Sequence, residues 1–230
     1  MYVFISFISQ KGGTGKTTLA LHVAAAMAQT GLKTLLIDAD PQASAMAWHA
    51  CRMQHEQPSL NRLTIMAISN GTITSQIPEL AKAYDCVVID GPPRGDRIAR
   101  DVILASDMVL VPTRLSGFDV WAGDSITKII EELRPVQEMA NKRPLDWYYV
   151  INQKNPRTTA GRIILKALER VEGHLLDSHV CERAAFIEST SQGLTIFETE
   201  AKGSKGSLEV SRLVDEILER MHKREQRRAA

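Results

Sequence analysis

The sequence predicts an α/β fold: a doubly wound, mostly parallel sheet with helices on both faces. Short apolar segments rich in β-branched residues recur along the chain, and the stretches between them are each long enough to hold a helix. Parallel strands joined by helical crossovers need cover on both faces, which gives this architecture. The 230 residues suit one compact unit, so we expect a single domain over residues 1–230.

Five segments carry the strand pattern. The first, Tyr2–Ile8, ends at a glycine-rich turn, and the Ala/Leu-rich segment Thr17–Gln29 that follows predicts a helix ending before Gly31. The other predicted strands are Lys33–Asp38, Cys86–Asp90, Met108–Pro112 and Trp147–Asn152. Ligands of such sheets bind beyond the carboxyl ends of the strands, so residues that follow strands are the candidates for function.

Composition excludes several classes of protein. Apolar residues make up 44% and charged residues 24%, which excludes a disordered chain, and the net charge of +1 provides no chain-wide attraction to nucleic acid or membrane. The three cysteines are scattered without a C-x-x-C pair, which argues against a disulfide framework or a metal cluster. The apolar opening is too short for a membrane span and lacks the basic front of a signal peptide, so we expect a cytoplasmic protein.

The first strand leads into a loop suited to phosphate. Gly12, Gly13 and Gly15 allow a tight bend whose backbone N–H groups can surround an anion, and the following helix aims its positive end at the same place. Lys16 supplies a charge for the β- and γ-phosphates, and the Thr17 hydroxyl can bind Mg²⁺. The general pattern G-x-x-x-x-G-K-[ST] has glycine where this chain has Gln10. The sequence therefore predicts a triphosphate site of an unusual kind.

The loop K-G-G-x-G-K-T, together with D-x-D-P-Q after the second strand, resembles the deviant Walker A ATPases of the ParA/MinD family. Val87–Pro93 resembles the Walker B strand of that family, and Gly193–Leu208 resembles the C-terminal stretch of small plasmid-type ParA proteins. The resemblance covers most of the chain. It implies a weak Mg²⁺-dependent ATPase that forms an ATP-dependent homodimer, with ATP and Mg²⁺ as cofactors.

The resemblance also implies roles for single residues. Lys11, the extra lysine at the start of the loop, would reach the phosphates of the partner's ATP, and Asp40 would orient the attacking water. From its position at the end of an apolar strand, Asp90 would hold Mg²⁺ through water, and Asp38 would support the same shell. A helix N-cap or turn aspartate is the alternative interpretation of both residues. Asn152, at the end of the last predicted strand, lies where family members contact adenine. The residues predicted to bind ATP are Lys11, Gly12, Gly13, Thr14, Gly15, Lys16, Thr17, Thr18 and Asn152.

The C-terminal end is basic, with five basic residues and one acid between Arg220 and Ala230. In the ParA family a basic surface near the C-terminus binds nonspecific DNA in the ATP dimer, and lysine and arginine can do so by neutralising phosphates. A solvated helix end is the alternative interpretation. The residues predicted to contact DNA are Arg183, Lys202, Lys205, Arg212, Lys223, Arg224, Arg227 and Arg228.

Apolar residues at helical spacing between Val210 and Met221 predict a helix face that packs on the core. The tail beyond Met221 has no bulky apolar residue, so we expect no membrane attachment. Because the first predicted strand begins at Tyr2, we also expect no helix-turn-helix extension. A Rossmann dinucleotide site is disfavoured, since Thr18 stands where its last glycine would be.

Two functions remain open. In the first, the protein is a DNA-segregating ATPase whose ATP dimer lies on the nucleoid and is released when a ParB-like centromere-binding partner stimulates hydrolysis. In the second, the same ATP cycle positions a cargo other than DNA, such as a protein compartment, a chemoreceptor cluster or the division machinery. A neighbouring gene for a small DNA-binding protein, beside DNA repeats, would favour the first.

Overall fold

The structure is a computed structural model. It describes residues 3–55, 60–68, 73–74, 77, 79, 82–93, 96–114, 117–141, 144–154 and 174–229, with the backbone alone for 117–124, 225 and 227–229.

Seven parallel strands of the described residues form one sheet in the order β3-β2-β4-β1-β5-β6-β7. This arrangement confirms the predicted doubly wound architecture, because β1 lies at the centre of the sheet, with β4, β2 and β3 on one side and β5, β6 and β7 on the other. The strands are β1 (Val3–Ser9), β2 (Thr34–Asp38), β3 (Leu63–Ala67), β4 (Cys86–Pro93), β5 (Met108–Thr113), β6 (Asp146–Lys154) and β7 (Leu175–Cys181).

Two of these strands, β3 and β7, are absent from the sequence-based prediction. Both lie at the edges of the sheet, where a strand is only partly covered and its sequence need not be a continuous apolar run. β7 contains the polar stretch Asp177–His179, and none of the five residues of β3 is fully buried. The five predicted strands are the central ones, which are buried on both faces.

The helices of the described residues lie between and after the strands. Gly15 begins the first of them in a left-handed conformation with φ of 78°, which a residue with a side chain rarely adopts. The helices are α1 (Lys16–Gln29), α2 (Ser44–Arg52), α3 (Arg97–Ala105), α4 (Gly117–Asn141), α5 (Ala184–Ser191), α6 (Ile196–Thr199) and α7 (Lys205–Ala229).

Two apolar clusters cover the two faces of the sheet. Alternate residues of β1 divide between them: Ile5 and Phe7 pack with α1 and α7, whereas Phe4 and Ile8 pack with α3 and α4. The apolar face of α7 belongs to the first cluster, as its spacing predicts. Its buried members are Val210, Leu213, Val214, Ile217 and Met221. Each such side chain contributes about 1.5–3 kcal/mol by leaving water, so α7 is an integral part of the fold.

Candidate functional site

The loop between β1 and α1 has the backbone form that anion binding requires. Gly13 and Gly15 have positive φ angles of 79° and 78°. A Cβ atom added at Gly12 or Gly13 would meet no atom within 4 Å, so this part of the loop faces open space. The loop runs directly into α1, whose first N–H groups carry the positive end of the helix dipole.

Side chains from three strand ends hold the carbonyl groups of this loop. The Ser9 hydroxyl donates to the Lys11 carbonyl at 3.0 Å, and the Asn152 amide donates to the Thr14 carbonyl at 2.7 Å. The Arg114 guanidinium, which follows β5, donates to the Gly13 carbonyl. Carbonyl groups bound from outside leave the N–H groups of the loop available for a ligand.

One of these contacts bears on a sequence-based inference, and another reveals a residue that the sequence analysis did not indicate. Asn152 is predicted to contact adenine, but its side chain is buried against Gly15 with its amide nitrogen engaged by the loop, so the adenine contact stays a prediction. Arg114 is missing from the predicted site. The signal that could have revealed it is its position directly after β5, on the same edge of the sheet as the other candidates.

Lys16 joins the ends of two further strands. Its ammonium nitrogen lies 2.7 Å from Oδ1 of Asp90, at the end of β4, and 3.7 Å from Oδ2 of Asp40, just beyond β2. All three residues are buried. Burial raises the pKa of Asp90. The charge and hydrogen bond of Lys16, together with a hydrogen bond from Thr17, oppose this shift. The structure thus brings the predicted lysine, threonine and aspartates together on one edge of the sheet.

Asp38 organises the loop that carries Asp40. Its Oδ1 accepts from the Asp40 N–H at 3.2 Å and its Oδ2 from the Met46 N–H at 3.0 Å. Burial raises the pKa of Asp38, and these backbone donors oppose the shift. Because both oxygens are bound by the backbone, Asp38 fixes the loop to the first turn of α2. Its predicted support of the magnesium shell remains a prediction.

The residues fit a magnesium nucleotide. Oδ2 of Asp90 is buried and accepts no hydrogen bond, and the buried Thr14 hydroxyl likewise has no partner among the described atoms. A buried carboxylate oxygen without a donor suits the water shell of a hard cation such as Mg²⁺. Within the described residues no group of three or more His, Cys, Asp or Glu side chains could hold a metal.

A cleft of about 370 Å³ opens beside the phosphate loop. Thr18 and Leu19 of α1 form one wall, the end of β7 and α5 form another, and Asn152 and Gln153 lie between them. Its lining exposes more apolar than polar surface, as expected of a site for a flat heterocycle. The cleft is therefore of the right character to hold a nucleoside next to bound phosphates.

The predicted DNA contacts divide into two groups. Lys202, Lys205, Arg212 and Lys223 are exposed. Arg183 is paired with Glu209 at 2.5 Å, and Arg224 with Asp107 at 3.0 Å. The Arg224 side chain is only 10% exposed, so a test of DNA binding has to leave it in place. The side chains of Arg227 and Arg228 lie outside the described residues.

A phosphate loop after β1 of a doubly wound sheet, with a buried lysine between two aspartates, defines a P-loop nucleotide-binding protein. Residues 5–196 match the family model of the CobQ/CobB/MinD/ParA nucleotide binding domain, and the chain belongs to that family. It is a ParA/MinD-type ATPase, which confirms the resemblance seen in the sequence. In the part of the chain that the structure describes, none of the helices has the length and apolar character of a membrane span.

Relatives of known name support this assignment. Maintenance of carboxysome distribution protein A of Halothiobacillus neapolitanus is 28% identical over 210 residues, covering 90% of this chain and 93% of that protein. The chromosome-partitioning ATPase Soj of Thermus thermophilus is 24% identical over 94% of this chain and 96% of its own. Among solved structures, an ATP complex of a Cyanothece McdA variant aligns with a TM-score of 0.75 at 17% identity, over 94% of this chain and 96% of that one.

Proposed function

We propose that this protein is a DNA partition ATPase of one domain, residues 1–230, whose nucleotide state sets its oligomeric state and its hold on DNA. The observation that supports it most is the buried contact of Lys16 with Asp90 and Asp40 directly beneath an open glycine loop. A buried lysine between two carboxylates is placed to bind a triphosphate and to position the groups that hydrolyse it.

The backbone N–H groups from Gly12 to Lys16 would hold the phosphates, together with the Lys16 ammonium group. The Thr17 hydroxyl and Asp90 would hold Mg²⁺, Asp90 through water. Bound Mg²⁺ neutralises charge that develops on the phosphate oxygens. The adenosine part would lie in the cleft between α1 and the end of β7.

Asp40 would orient the attacking water. Its Oδ1 accepts from the Gln42 N–H at 2.9 Å, which fixes the carboxylate, while its Oδ2 faces Lys16. Hydrolysis of ATP depends mainly on such positioning. The family resemblance implies that this hydrolysis is slow. Lys11 is exposed at the start of the loop and would reach the nucleotide of a second copy of the chain, as the family resemblance implies.

DNA would bind at the exposed basic residues around the start of α7, namely Lys202, Lys205 and Arg212. A net charge of +1 cannot attract DNA to the molecule as a whole, so binding has to be local, independent of sequence and sensitive to salt. In the ATP state the protein would lie on the nucleoid, and a ParB-like partner would stimulate hydrolysis and release. No membrane takes part in this cycle.

One observation favours a second function, the positioning of a protein compartment. The relative that is 28% identical over 90% of this chain is named for the distribution of carboxysomes. The ATP cycle and the DNA surface would be the same, and the partner would be an adaptor on the compartment. Nonspecific DNA binding is therefore common to both functions, and the partner separates them.

The test is retention of a nonspecific DNA duplex with ATP, with ADP and without nucleotide, over a range of salt concentrations. We expect retention with ATP alone, and weaker retention after Lys202, Lys205 and Arg212 are replaced by Ala. Loss of three phosphate contacts lowers the slope of log K against log salt by about 3. Replacement of the exposed Arg62, Lys82 and Lys128 by Ala removes the same charge elsewhere and should leave retention unchanged. Equal losses in both triple variants would contradict the assigned surface.

A further inference from the structure

Residues 193–198, called here the junction segment, are held by both helices that follow the nucleotide loops. From α1, the His22 ring accepts a hydrogen bond from the Ile196 N–H at 3.2 Å. The other ring nitrogen of His22 donates to the Thr18 carbonyl at 2.7 Å, which fixes one tautomer of the neutral ring. The junction segment is thereby attached to the helix that begins at Lys16.

From α2, three contacts reach the same segment. The Trp48 indole donates to the Leu194 carbonyl at 3.1 Å, and the Arg52 guanidinium donates to the Gly193 carbonyl at 3.3 Å. Arg52 also makes two parallel hydrogen bonds of 2.9 Å to the Glu198 carboxylate. Both side chains of this pair are at least nine-tenths buried, at 5% and 9% exposure. A buried bidentate pair of this kind fixes orientation as well as distance.

Backbone packing makes the contact between α2 and the junction segment closer still. Gly193 has a φ of +70°, and a Cβ atom built on it would lie 2.4 Å from the backbone nitrogen of Arg52. Only glycine fits there, because the two backbones approach without room for a side chain. The Glu198 carboxylate also accepts from the Thr195 N–H at 2.9 Å, which completes a capping box at the start of α6.

The far side of the junction segment faces the proposed DNA surface. Ile196 lies against Gly206 in the first turn of α7, where a Cβ atom would stand 3.3 Å from Ile196 Cδ1. The same glycine lies beside Arg183, which is paired with Glu209 of α7. The predicted DNA contact Lys202 lies between the junction segment and α7, and Lys205 is the first residue of α7.

We propose that the junction segment transmits the nucleotide state of the phosphate and aspartate loops to the basic surface at the start of α7, with the Arg52–Glu198 ion pair as its main link. The inference rests on the proposed function. α2 is tied at its first turn to Asp38 and at its last residue to Glu198, and a helix of nine residues moves as a rigid rod of about 13 Å. A displacement of the aspartate loop therefore reaches the junction segment, because separating Arg52 from Glu198 would break two buried, charge-assisted hydrogen bonds.

Hydrogen exchange of the full-length protein, with ADP and with a non-hydrolysable ATP analogue, tests this proposal. In the wild type, we expect the ATP analogue to slow exchange in both residues 44–52 and residues 193–206. In the double variant Arg52→Met/Glu198→Gln, residues 44–52 should still respond while 193–206 no longer do. ATP-dependent DNA affinity should fall about tenfold, the size of a typical coupling between sites, with ATP affinity unchanged.

The control is the variant Arg100→Met/Glu132→Gln, which removes another bidentate pair of the same residue types from α3 and α4. It should behave as wild type. Trp48→Phe provides a milder change that removes the indole bond to Leu194 without removing a charge, and it should weaken the response at 193–206 in part. Circular dichroism establishes which variants fold.

The outcomes separate the two proposals. If the wild type binds ATP but exchange in residues 193–206 does not respond, the proposed role of the junction segment is overturned while the proposed function stands. A full wild-type response in the folded Arg52→Met/Glu198→Gln or Trp48→Phe variant would have the same consequence. Failure of the wild type to bind ATP would overturn the proposed function, and with it the proposed role of the junction segment.

Discussion

The edge of the sheet around the phosphate loop and the basic C-terminal helix use charge in opposite ways. At the phosphate loop, Lys16, Asp38 and Asp90 are buried within one site. These three residues belong to separate motifs in the sequence, and the fold brings them together. In α7, Arg220 and Lys223 pair with Glu216 and Glu219 one turn earlier. A count of +4 between Arg220 and Ala230 is therefore not a measure of the positive surface that α7 presents. Motif spacing predicts a site, whereas the net charge of a segment does not predict a surface.

The largest expected effect is at the phosphate loop. Lys16→Ala removes the charge that would bind the phosphates, and we expect the affinity for ATP to fall by about 1,000-fold or more. Titration with a fluorescent ATP analogue measures it. Lys128→Ala, an exposed lysine of α4, is the matched control and should bind like the wild type. If the affinity of Lys16→Ala for ATP stayed within about threefold of the wild-type value, the nucleotide would not bind at the phosphate loop.

Within α7, two adjacent basic residues differ in burial, and their variants should differ in stability. Arg224→Ala removes the guanidinium that pairs with the buried carboxylate of Asp107, and we expect the free energy of unfolding to fall by about 3 kcal/mol. Lys223→Ala removes an exposed residue paired with Glu219 and should leave stability unchanged within error. Urea unfolding of the two variants measures both values. Equal stability of the two would show that Arg224 is a surface residue after all.

Asp40 separates binding from hydrolysis. Asp40→Ala should still bind ATP, because Lys16 keeps its contact with Asp90, but lose the group that orients water, so we expect the rate of hydrolysis to fall about 100-fold. Phosphate release at saturating ATP measures the rate. Asp38→Asn is the informative comparison: its amide oxygen can still accept from only one of the two N–H groups, so it should disturb the loop and weaken binding as well. Unchanged hydrolysis in Asp40→Ala would remove that residue from the mechanism.

The smallest expected effect is a pH dependence of stability that comes from His22. Burial lowers the pKa of His22 from 6.5 to about 4. In the unfolded chain His22 takes up a proton below pH 6.5, whereas in the folded chain it stays neutral down to about pH 4. The free energy of unfolding therefore decreases as the pH falls through this range. Between pH 7.5 and pH 5, this amounts to about 2 kcal/mol of unfolding free energy.

The variant His22→Gln isolates this contribution, since glutamine can donate to Thr18 and accept from Ile196 without titrating. Its stability, measured by urea unfolding at both pH values, should decrease less than that of the wild type, by about the same 2 kcal/mol. Parallel curves for the two proteins would show that His22 carries a proton in the folded state.

The central fold and the phosphate loop were predictable because their signals are local. A buried parallel strand is a continuous apolar run, and six neighbouring residues, Lys11–Lys16, define the loop. The edge strand β7 was not predictable, since one of its faces does not need apolar residues. The Arg52–Glu198 pair joins residues separated by 146 positions, and nothing in either local sequence indicates the other. His22 was missed for the same reason, because Ile196, which donates to its ring, is 174 positions away along the chain. Arg114 was missed although it directly follows β5, because its partner, the Gly13 carbonyl, is 101 positions away.

Light scattering coupled to gel filtration, with ADP and with a non-hydrolysable ATP analogue, tests most directly the claim that the phosphate loop controls assembly. We expect a mass near 25.5 kDa with ADP and twice that value with the ATP analogue, whereas Lys11→Ala should bind the analogue and keep the mass of a single chain. The same mass with both nucleotides, in a wild-type protein shown to have bound each of them, would contradict it.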